Sequence, residues 1–189
     1  CGNLCDGGWW DTATKADLQA ELDAGADVMA RAGYDHTPLH DAETSEAIEI
    51  LLASGADIMA QGRNGFTPLH EAETLESIFA LVAAGADVMA RDINDRTPLH
   101  WASSYGIPIN IKALLDTGAD VMARGKDGET PLHMAAREDD PAIILALLDA
   151  GADAKAKDEK ARSPWDYAQE NKSLKGTKGY WALNDAQYN

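Results

Sequence analysis

Two short motifs recur along this chain of 189 residues with the same spacing. The tripeptide Gly-Ala-Asp begins at Gly25, Gly55, Gly85, Gly118 and Gly151, at intervals of 30, 30, 33 and 33 residues. The tetrapeptide Thr-Pro-Leu-His begins at Thr37, Thr67, Thr97 and Thr130, and an altered copy, Ser-Pro-Trp-Asp, occupies residues 163–166. Self-similarity of this period predicts stacked copies of one supersecondary unit, since each copy buries its apolar face against its neighbours.

Each copy predicts two helices and an extended turn. Thr37 is typical of a helix N-cap, because its hydroxyl accepts a hydrogen bond from an amide of the first turn. Pro38 suits the first helical position, where its missing N–H costs nothing. A short helix is predicted from about residue 38 to 43, and an amphipathic helix begins near Thr44. Gly55 stands where that helix needs a left-handed residue at its end.

The pattern resembles the ankyrin repeat, most closely in KDGETPLHMAA at 126–136 and LLDAGAD at 147–153. The resemblance covers about residues 11–171. It implies an all-α ankyrin-repeat solenoid of stacked helix-turn-helix units, forming a single domain over residues 1–189. Four full repeats are expected at 31–60, 61–90, 91–123 and 124–156, between an N-terminal cap at 1–30 and a C-terminal capping repeat and tail at 157–189.

A solenoid must cover the apolar faces of its terminal units, so the two ends are expected to cap it. At the N-terminal end, Trp9 and Trp10 stand where a first helix belongs, and Thr14 with Asp17 predicts the start of a second. At the C-terminal end a helix is expected around Tyr167, followed by a lysine-rich linker and the aromatic residues near 180.

Three departures from the repeat pattern predict differences in local structure. The first two full repeats lack three residues that the later ones have, so their first helix should be about one turn shorter. Asp35 and Asp95 replace the usual turn glycine and tolerate a left-handed backbone, whereas Ala161 tolerates it poorly, which puts the last turn in doubt. A methionine ladder, formed by Met29, Met59, Met89 and Met122, replaces the usual Asn. It is open to two interpretations: packing of each Met on its copies, or an adaptable apolar strip for binding.

The charge of the chain limits the classes of partner that it is expected to bind. The 16 Lys and Arg against 32 Asp and Glu give a formal charge of −16. Such a surface repels phosphate backbones and anionic lipids, so nucleic acid and membrane surfaces are disfavoured. No stretch approaches the roughly 18 apolar residues of a membrane-spanning helix. Solubility and a basic protein partner both explain the acidity, and both stay open.

The two cysteines, Cys1 and Cys5, leave three alternatives open. Cys1 is a lipidated first residue, one half of a bridge to Cys5, or a free thiol. Both ends of the chain also resemble those of bacterial exported ankyrin proteins. We therefore expect an exported protein, periplasmic or lipid-anchored in the envelope, with a cytoplasmic protein as the alternative.

No pattern predicts catalysis, a metal site or a cofactor. Each Thr-Pro-Leu-His copy ends in a histidine, namely His40, His70, His100 and His133, and in the family such an imidazole bonds the N-cap Thr and the neighbouring turn. Helices about 8–10 Å apart keep these rings too far apart to share a metal with bonds near ~2 Å. A solvated acidic face is expected from Asp41, Glu43, Glu46, Glu71, Glu73 and Glu76, since nothing nearby supplies a nucleophile.

Variation between the copies falls at the turn tips and on the outer face of the short helix. The equivalent positions form the concave binding face of ankyrin proteins, so the resemblance implies a site there. The predicted partner-binding residues at the tips are Tyr34, His36, Arg63, Asn64, Phe66, Ile93, Asn94, Arg96, Lys126, Asp127 and Glu129. Those on the short helices are Trp101, Ser104, Tyr105, Arg137 and Glu138. Buried aromatic and Arg side chains dominate binding energies at interfaces; His36 itself is expected to be exposed.

The function expected from these features is a non-catalytic module that binds a protein partner and acts as a monomer. One alternative is an acidic structural or stress-protective envelope protein without a single defined partner. Another is a metal-handling protein or an enzyme, which would need convergent ligands.

Overall fold

The computed structural model describes residues 2–10, 12–105 and 107–188. Within these residues every regular element is a helix and no strand occurs, which confirms the predicted all-α class. The chain forms two compact units, Cys1–Val88 and Met89–Asn189. The repeat number and the repeat boundaries stay predictions.

The described residues of the first unit, 2–10 and 12–88, form five α-helices. They are α1 (Gly7–Trp10), α2 (Lys15–Asp23), α3 (Ser45–Ala53), α4 (Pro68–Glu71) and α5 (Leu75–Ala83). Short 3₁₀ helices cover Gly2–Cys5, Gly33–Asp35, Pro38–His40 and Arg63–Gly65. Helix α2 packs on α3, and α3 packs on α5. The fully buried side chains between them include Leu18, Ile48, Leu51, Ile78 and Leu81.

In the second unit the described residues, 89–105 and 107–188, form six α-helices. They are α6 (Pro98–Tyr105), α7 (Pro108–Asp116), α8 (Pro131–Ala135), α9 (Pro141–Asp149), α10 (Pro164–Glu170) and α11 (Lys178–Ala186). The first helices stack as α6, α8 and α10, and the second helices as α7, α9 and α11. Their apolar faces bury Leu99, Ile111, Leu132, Ile143 and Leu147. Because α11 occupies the position of a second helix, the tail belongs to the packed structure.

The length difference predicted from the three-residue deletion is confirmed for α6 but not for α8. The copy at Pro38–His40 is a single 3₁₀ turn and α4 has four residues, whereas α6 has eight and α8 has five. The helix predicted to reach residue 43 ends at His40, because Thr44 must adopt an extended backbone to cap α3.

The histidines that end the four Thr-Pro-Leu-His copies cap these short helices. The backbone N–H of Thr37 donates to Nδ1 of His40 at 3.1 Å, and Thr97 and His100 repeat this bond. Since Nδ1 accepts, the ring proton lies on Nε2. His40 then donates to the Phe66 carbonyl at 3.0 Å, which ties one copy to the next. The structural role predicted for these histidines is confirmed for His40, His100 and His133.

The turns keep the left-handed residues that the pattern requires. Gly55 ends α3 with φ of 96°. Asp35 and Asp95 adopt φ of 64° and 57°, as predicted. The doubt about the last turn is wrong: Ala161 adopts φ of 59°, and the turn closes through a 2.9 Å bond from the Asp158 N–H to the Arg162 carbonyl.

The methionine ladder is half-buried, and the sulfur atoms of Met29, Met89 and Met122 contact the backbone of the following copy. The amides of Asp57, Asp120 and Asp153 point at the sulfurs of Met29, Met89 and Met122 at 3.2–3.4 Å. The structure therefore favours the packing interpretation over a free binding strip.

Helices lie near both ends of the chain, where the sequence predicts caps. Thr14 and Asp17 form a reciprocal capping box at the start of α2, and Ser163 with Asp166 forms one at the start of α10. Cys5 is disulfide-bonded, whereas Cys1, on which the lipid, bridge and thiol alternatives rest, lies outside the described residues. Across residues 2–10, 12–105 and 107–188 no helix has the length and apolarity to span a membrane.

Candidate functional site

The most exposed predicted residues lie at the turn tips. Tyr34 is 69% exposed in the first unit and Ile93 is 62% exposed in the second. The guanidinium of Arg63 lies 5.7 Å from the centre of the Tyr34 ring, and the tip residue Asn64 beside it is exposed. Large apolar or aromatic groups in water at loop tips are features of interaction surfaces rather than of packing.

In the second unit Lys126 and Asp127 are exposed as predicted, yet their backbone joins successive tips. The Lys126 N–H donates to the Asn94 carbonyl at 2.8 Å, and the Asp127 carbonyl accepts from the Glu159 N–H at 2.9 Å. These cross-links fix the tips relative to one another, so their side chains project from a rigid base.

An aromatic pair marks the end of α6. The rings of Trp101 and Tyr105 stack with their centres 5.7 Å apart, and Tyr105 is 57% exposed. The buried carboxylate of Asp92 accepts a 3.0 Å bond from Trp101 Nε1 and two more from the amides of Asn94 and Arg96. The Arg96 guanidinium lies 5.5 Å from the Trp101 ring. Asp92 thus fixes the aromatic pair and the turn tip together.

A buried carboxylate links three copies in the second unit. Glu129 accepts two hydrogen bonds from Arg137, lies 3.7 Å from Arg96 Nη2, and lies 3.3 Å from the Tyr167 hydroxyl. Burial would raise the pKa of Glu129, but its bonds to Arg137 outweigh burial and lower it. Glu129 therefore stays ionised. The prediction that Glu129 lies at the surface is wrong: its carboxylate is buried, and Arg137 of its own copy together with Arg96 of the preceding copy compensates the buried charge.

The arrangement around Asp92 recurs in the capping helix. Asp158 accepts from the amides of Lys160 and Arg162 and from the Tyr167 hydroxyl at 2.6 Å. Burial and the bond to Asp158 raise the pKa of Tyr167 to about 12, so the phenol stays protonated. The guanidiniums of Arg162 and Arg137 lie 4.0 and 4.1 Å from the Tyr167 ring centre, within cation–π range.

Two further predicted residues join the α6 surface. Ser104 Oγ donates to Glu138 Oε1 at 3.2 Å, which links α6 to the end of the following short helix. The second unit thus brings together Arg96, Trp101, Ser104, Tyr105, Arg137 and Glu138, and we call these six residues the inner patch.

His36 in the first unit corrects a prediction. It was expected to be exposed, but its side chain is only 14% exposed because it stacks on His40 with ring centres 4.7 Å apart. Its Nδ1 lies 3.8 Å from Asp41 and its Nε2 lies 3.6 Å from Glu71. The Asp41 carboxylate is the main cause that raises the pKa of His36, whereas burial raises the pKa of Glu71. Asp41 and Glu71 are thus not part of a fully solvated face.

Phe66 is also more enclosed than a contact residue should be. It is 8% exposed, because its ring stacks on His70 with centres 5.6 Å apart. The residue before each Thr therefore packs on its own short helix when it is aromatic. Replacing Phe66 would disturb the core of the first unit as well as its surface.

The described residues hold no group of three or more His, Cys, Asp or Glu side chains placed to bind a metal ion. The histidines of the short helices are poor bases, since burial lowers the pKa of His40 and His133, and that of His100 to about 4. Their bonds are internal, so they serve structure and not proton transfer.

Sequence reasoning missed Asp92, Asp158, Arg162 and Tyr167. A signal was present, because Asp92 and Asp158 stand five residues before the Thr or Ser of their copies. Each is followed by Arg four residues later and by an aromatic residue nine later. The other copies lack this combination, so it marks the two places where the buried networks form.

A scan against family models matched residues 71–158 to ankyrin repeats, in three copies. No curated protein gave a match.

Proposed function

Because the chain is an ankyrin-repeat protein, and ankyrin repeats are generally protein–protein interaction modules, we propose that it binds a protein partner through its turn tips and short helices. The single observation that carries this proposal is the Trp101–Tyr105 pair, whose outer ring is more than half exposed while Asp92 and Arg96 fix the inner one. Of the sixteen predicted contact residues, fourteen are proposed to contact the partner. The other two, Glu129 and Phe66, are buried and support the contact surface from beneath.

Rigidity supports this choice of surface. A partner that docks on the inner patch immobilises few new side chains, because hydrogen bonds and stacking already order Trp101, Ser104 and Arg96. Ordering a free side chain on binding costs about 0.5–1.5 kcal/mol, so a pre-ordered surface retains more of its contact energy.

The partner is proposed to carry a basic surface. The chain has a formal charge of −16, and the first unit has a cavity of about 440 Å³ lined by Trp10, His36, Asp41, Glu71 and neighbouring carboxylates. A positive partner approaches such a surface faster, and the gain falls with added salt. The proposal assigns no catalytic step, as is typical of the family, and it treats the protein as a monomer.

The test is partner capture followed by affinity measurement with purified components. Tyr105→Ala removes an exposed ring from the inner patch, and Ile109→Ala removes an equally exposed side chain (53%) from α7, outside that patch. We expect Tyr105→Ala to weaken binding about thirtyfold, the loss typical of an aromatic hot spot of about 2 kcal/mol. Ile109→Ala should bind like the native chain.

Equal retention by Tyr105→Ala and the native chain would contradict the proposed surface. The acidic structural protein without a defined partner is the second candidate, and the charge of −16 is what favours it. It predicts that bound material changes with salt alone and is the same for both variants. Export and lipid attachment stay predictions of the sequence.

A further inference from the structure

The second unit contains a basin lined by three cationic side chains and one carboxylate, in a chain that is acidic overall. Its volume is about 610 Å³, and it is lined by Arg137, Arg162, Tyr167, Glu170, Asn171 and Lys172. We call it the arginine basin. Residues 155–178 contain seven Lys or Arg against four Asp or Glu, in a chain whose formal charge is −16. The basin therefore lies in the most basic part of the sequence.

Stacking orders the two guanidiniums of the basin. Tyr167 has Arg162 at 4.0 Å and Arg137 at 4.1 Å from its ring centre, and its hydroxyl accepts a hydrogen bond from Arg162 Nη2. The side chains of Arg137 and Arg162 are 35% and 32% exposed, whereas their carboxylate partners Glu129 and Asp158 are buried. The cationic member of each pair therefore forms the surface that an arriving ligand meets.

The donors of Arg162 are only partly used. Nε lies 3.7 Å from Asp158 Oδ2, beyond hydrogen-bond distance, and it is buried without a hydrogen-bond partner among the described residues. A ligand in the basin would therefore meet the Nη groups of Arg162 rather than Nε. Lys172 is exposed at the edge of the basin. The Asn171 amide, by contrast, is occupied, since it donates to the carbonyls of Arg137 and Glu138. A ligand would thus be recognised by two guanidiniums and one ammonium.

We infer that the arginine basin binds a carboxylate of the protein partner, such as a glutamate or aspartate of an acidic segment. This inference rests on the proposed function, because it assigns the ligand to a protein. A planar, singly charged carboxylate matches the fork of a guanidinium. The buried Glu129 and Asp158 leave too little uncompensated positive charge for a dianionic phosphate, and the overall negative charge repels such a group. A basic partner carrying one acidic segment would then bind in a single orientation, because the wrong register places like charges together.

The test is a nuclear magnetic resonance titration of the full chain at constant ionic strength. The probes are blocked tetrapeptides Gly-Glu-Glu-Gly, Gly-Gln-Gln-Gly and the phosphoserine counterpart, and the signals are the Nε–Hε groups of Arg137 and Arg162. We expect saturable shifts with the glutamate peptide and none with the glutamine peptide. Lys172→Gln should weaken the glutamate peptide about threefold, as expected for loss of one exposed ion pair. Lys112→Gln removes an exposed lysine outside the basin and should change nothing.

Equal shifts with the glutamate and glutamine peptides, or no shifts of the arginine signals, would overturn the inference. Tighter binding of the phosphoserine peptide would overturn the carboxylate assignment in favour of phosphate. If Tyr105→Ala loses the captured partner while these peptides leave the basin unchanged, the inference fails and the proposed function stands. If the glutamate peptide binds but the partner is unaffected by Tyr105→Ala, the basin is supported and the proposed surface fails.

Discussion

Lowering the pH should destabilise the second unit through one buried histidine. His100 is fully buried, with Nδ1 accepting from Thr97 and Nε2 donating to the Glu129 carbonyl at 3.1 Å. A second proton on Nδ1 would break the hydrogen bond that Nδ1 accepts from the Thr97 N–H. Burial accordingly lowers the pKa of His100 from 6.5 to about 4.

The sign and size of the effect follow from proton linkage. Between pH 6.5 and 4 the unfolded chain binds a proton at His100 that the folded chain does not, so the free energy of unfolding falls as the pH falls. The contribution is fully present above pH 6.5. With these two pKa values, the loss between pH 7 and pH 5 is about 2 kcal/mol. It would reach a limit of about 3 kcal/mol below pH 4.

The assay compares the native chain with His100→Asn in urea at pH 7 and pH 5. Asn keeps an acceptor for the Thr97 amide, as Asp166 does for Ser163 in the capping helix, and it does not titrate. Loss of native amide signals from residues 89–189 reports unfolding of this unit. The variant should be less stable at pH 7 by about 1–3 kcal/mol, since the Glu129 carbonyl loses its donor. It should, however, lose about 2 kcal/mol less than the native chain on going to pH 5.

Two results would refute this reasoning. One is a midpoint near 6.5 for the His100 ring signal in the folded protein. The other is an equal loss of stability in both chains between pH 7 and pH 5. Burial also lowers the pKa of His133, but that contribution is the same in both chains and cancels.

Three further predictions, which use five substitutions, test separate parts of the structure by urea unfolding. His36→Asn should show the opposite pH dependence: carboxylate neighbours raise the pKa of His36, so its stabilisation is full below pH 6.5 and disappears as the pH rises through the raised value. Loss of the ring stack on His40 should cost the variant stability at both pH values, and the cost should be about 0.5 kcal/mol larger at pH 5.5 than at pH 9. Ala161→Gly should stabilise the second unit by about 1 kcal/mol, while Gly128→Ala at the equivalent turn should destabilise it by a similar amount, because both positions have positive φ. Gly179→Ala should cost about 2 kcal/mol, since an added Cβ would lie 2.5 Å from a carbonyl at the start of α9, whereas Gly33→Ala, with open space around it, should be neutral.

The fold was predictable because its signals are local and repeated. The Thr14–Asp17 capping box and the glycine after α3 fix helix ends by backbone chemistry that a short window of sequence contains. The three residues missing from the earlier copies likewise predict, from local sequence alone, that α4 is shorter than α6. The backbone of Ala161 could not be predicted from a short window of sequence. Alanine alone disfavours a left-handed backbone, but the closing bond between Asp158 and Arg162 and the caps on either side impose it.

The site was only partly predictable, because variation between copies has two physical causes. A position may vary because it faces solvent, as Tyr34, Ile93 and Tyr105 do. It may also vary because it pairs with different residues of the neighbouring copies. Glu129 shows the second cause, since its carboxylate meets Arg96 from the preceding copy and Tyr167 from the following one.

Complementarity between adjacent copies separates these two causes. The residue before the Thr or Ser is Arg in one copy, Glu in the next and Arg in the last, namely Arg96, Glu129 and Arg162. Opposite charges in consecutive copies of a stacked array lie close enough to pair, so a variable charged position with such neighbours should be internal. Ile93 has no such counterpart and stays exposed. Variability predicts a contact residue in this repeat only where the position stays exposed and no charged residue of a neighbouring copy pairs with it. By that criterion Ile93 lies on the proposed partner surface, while Glu129 supports that surface from beneath.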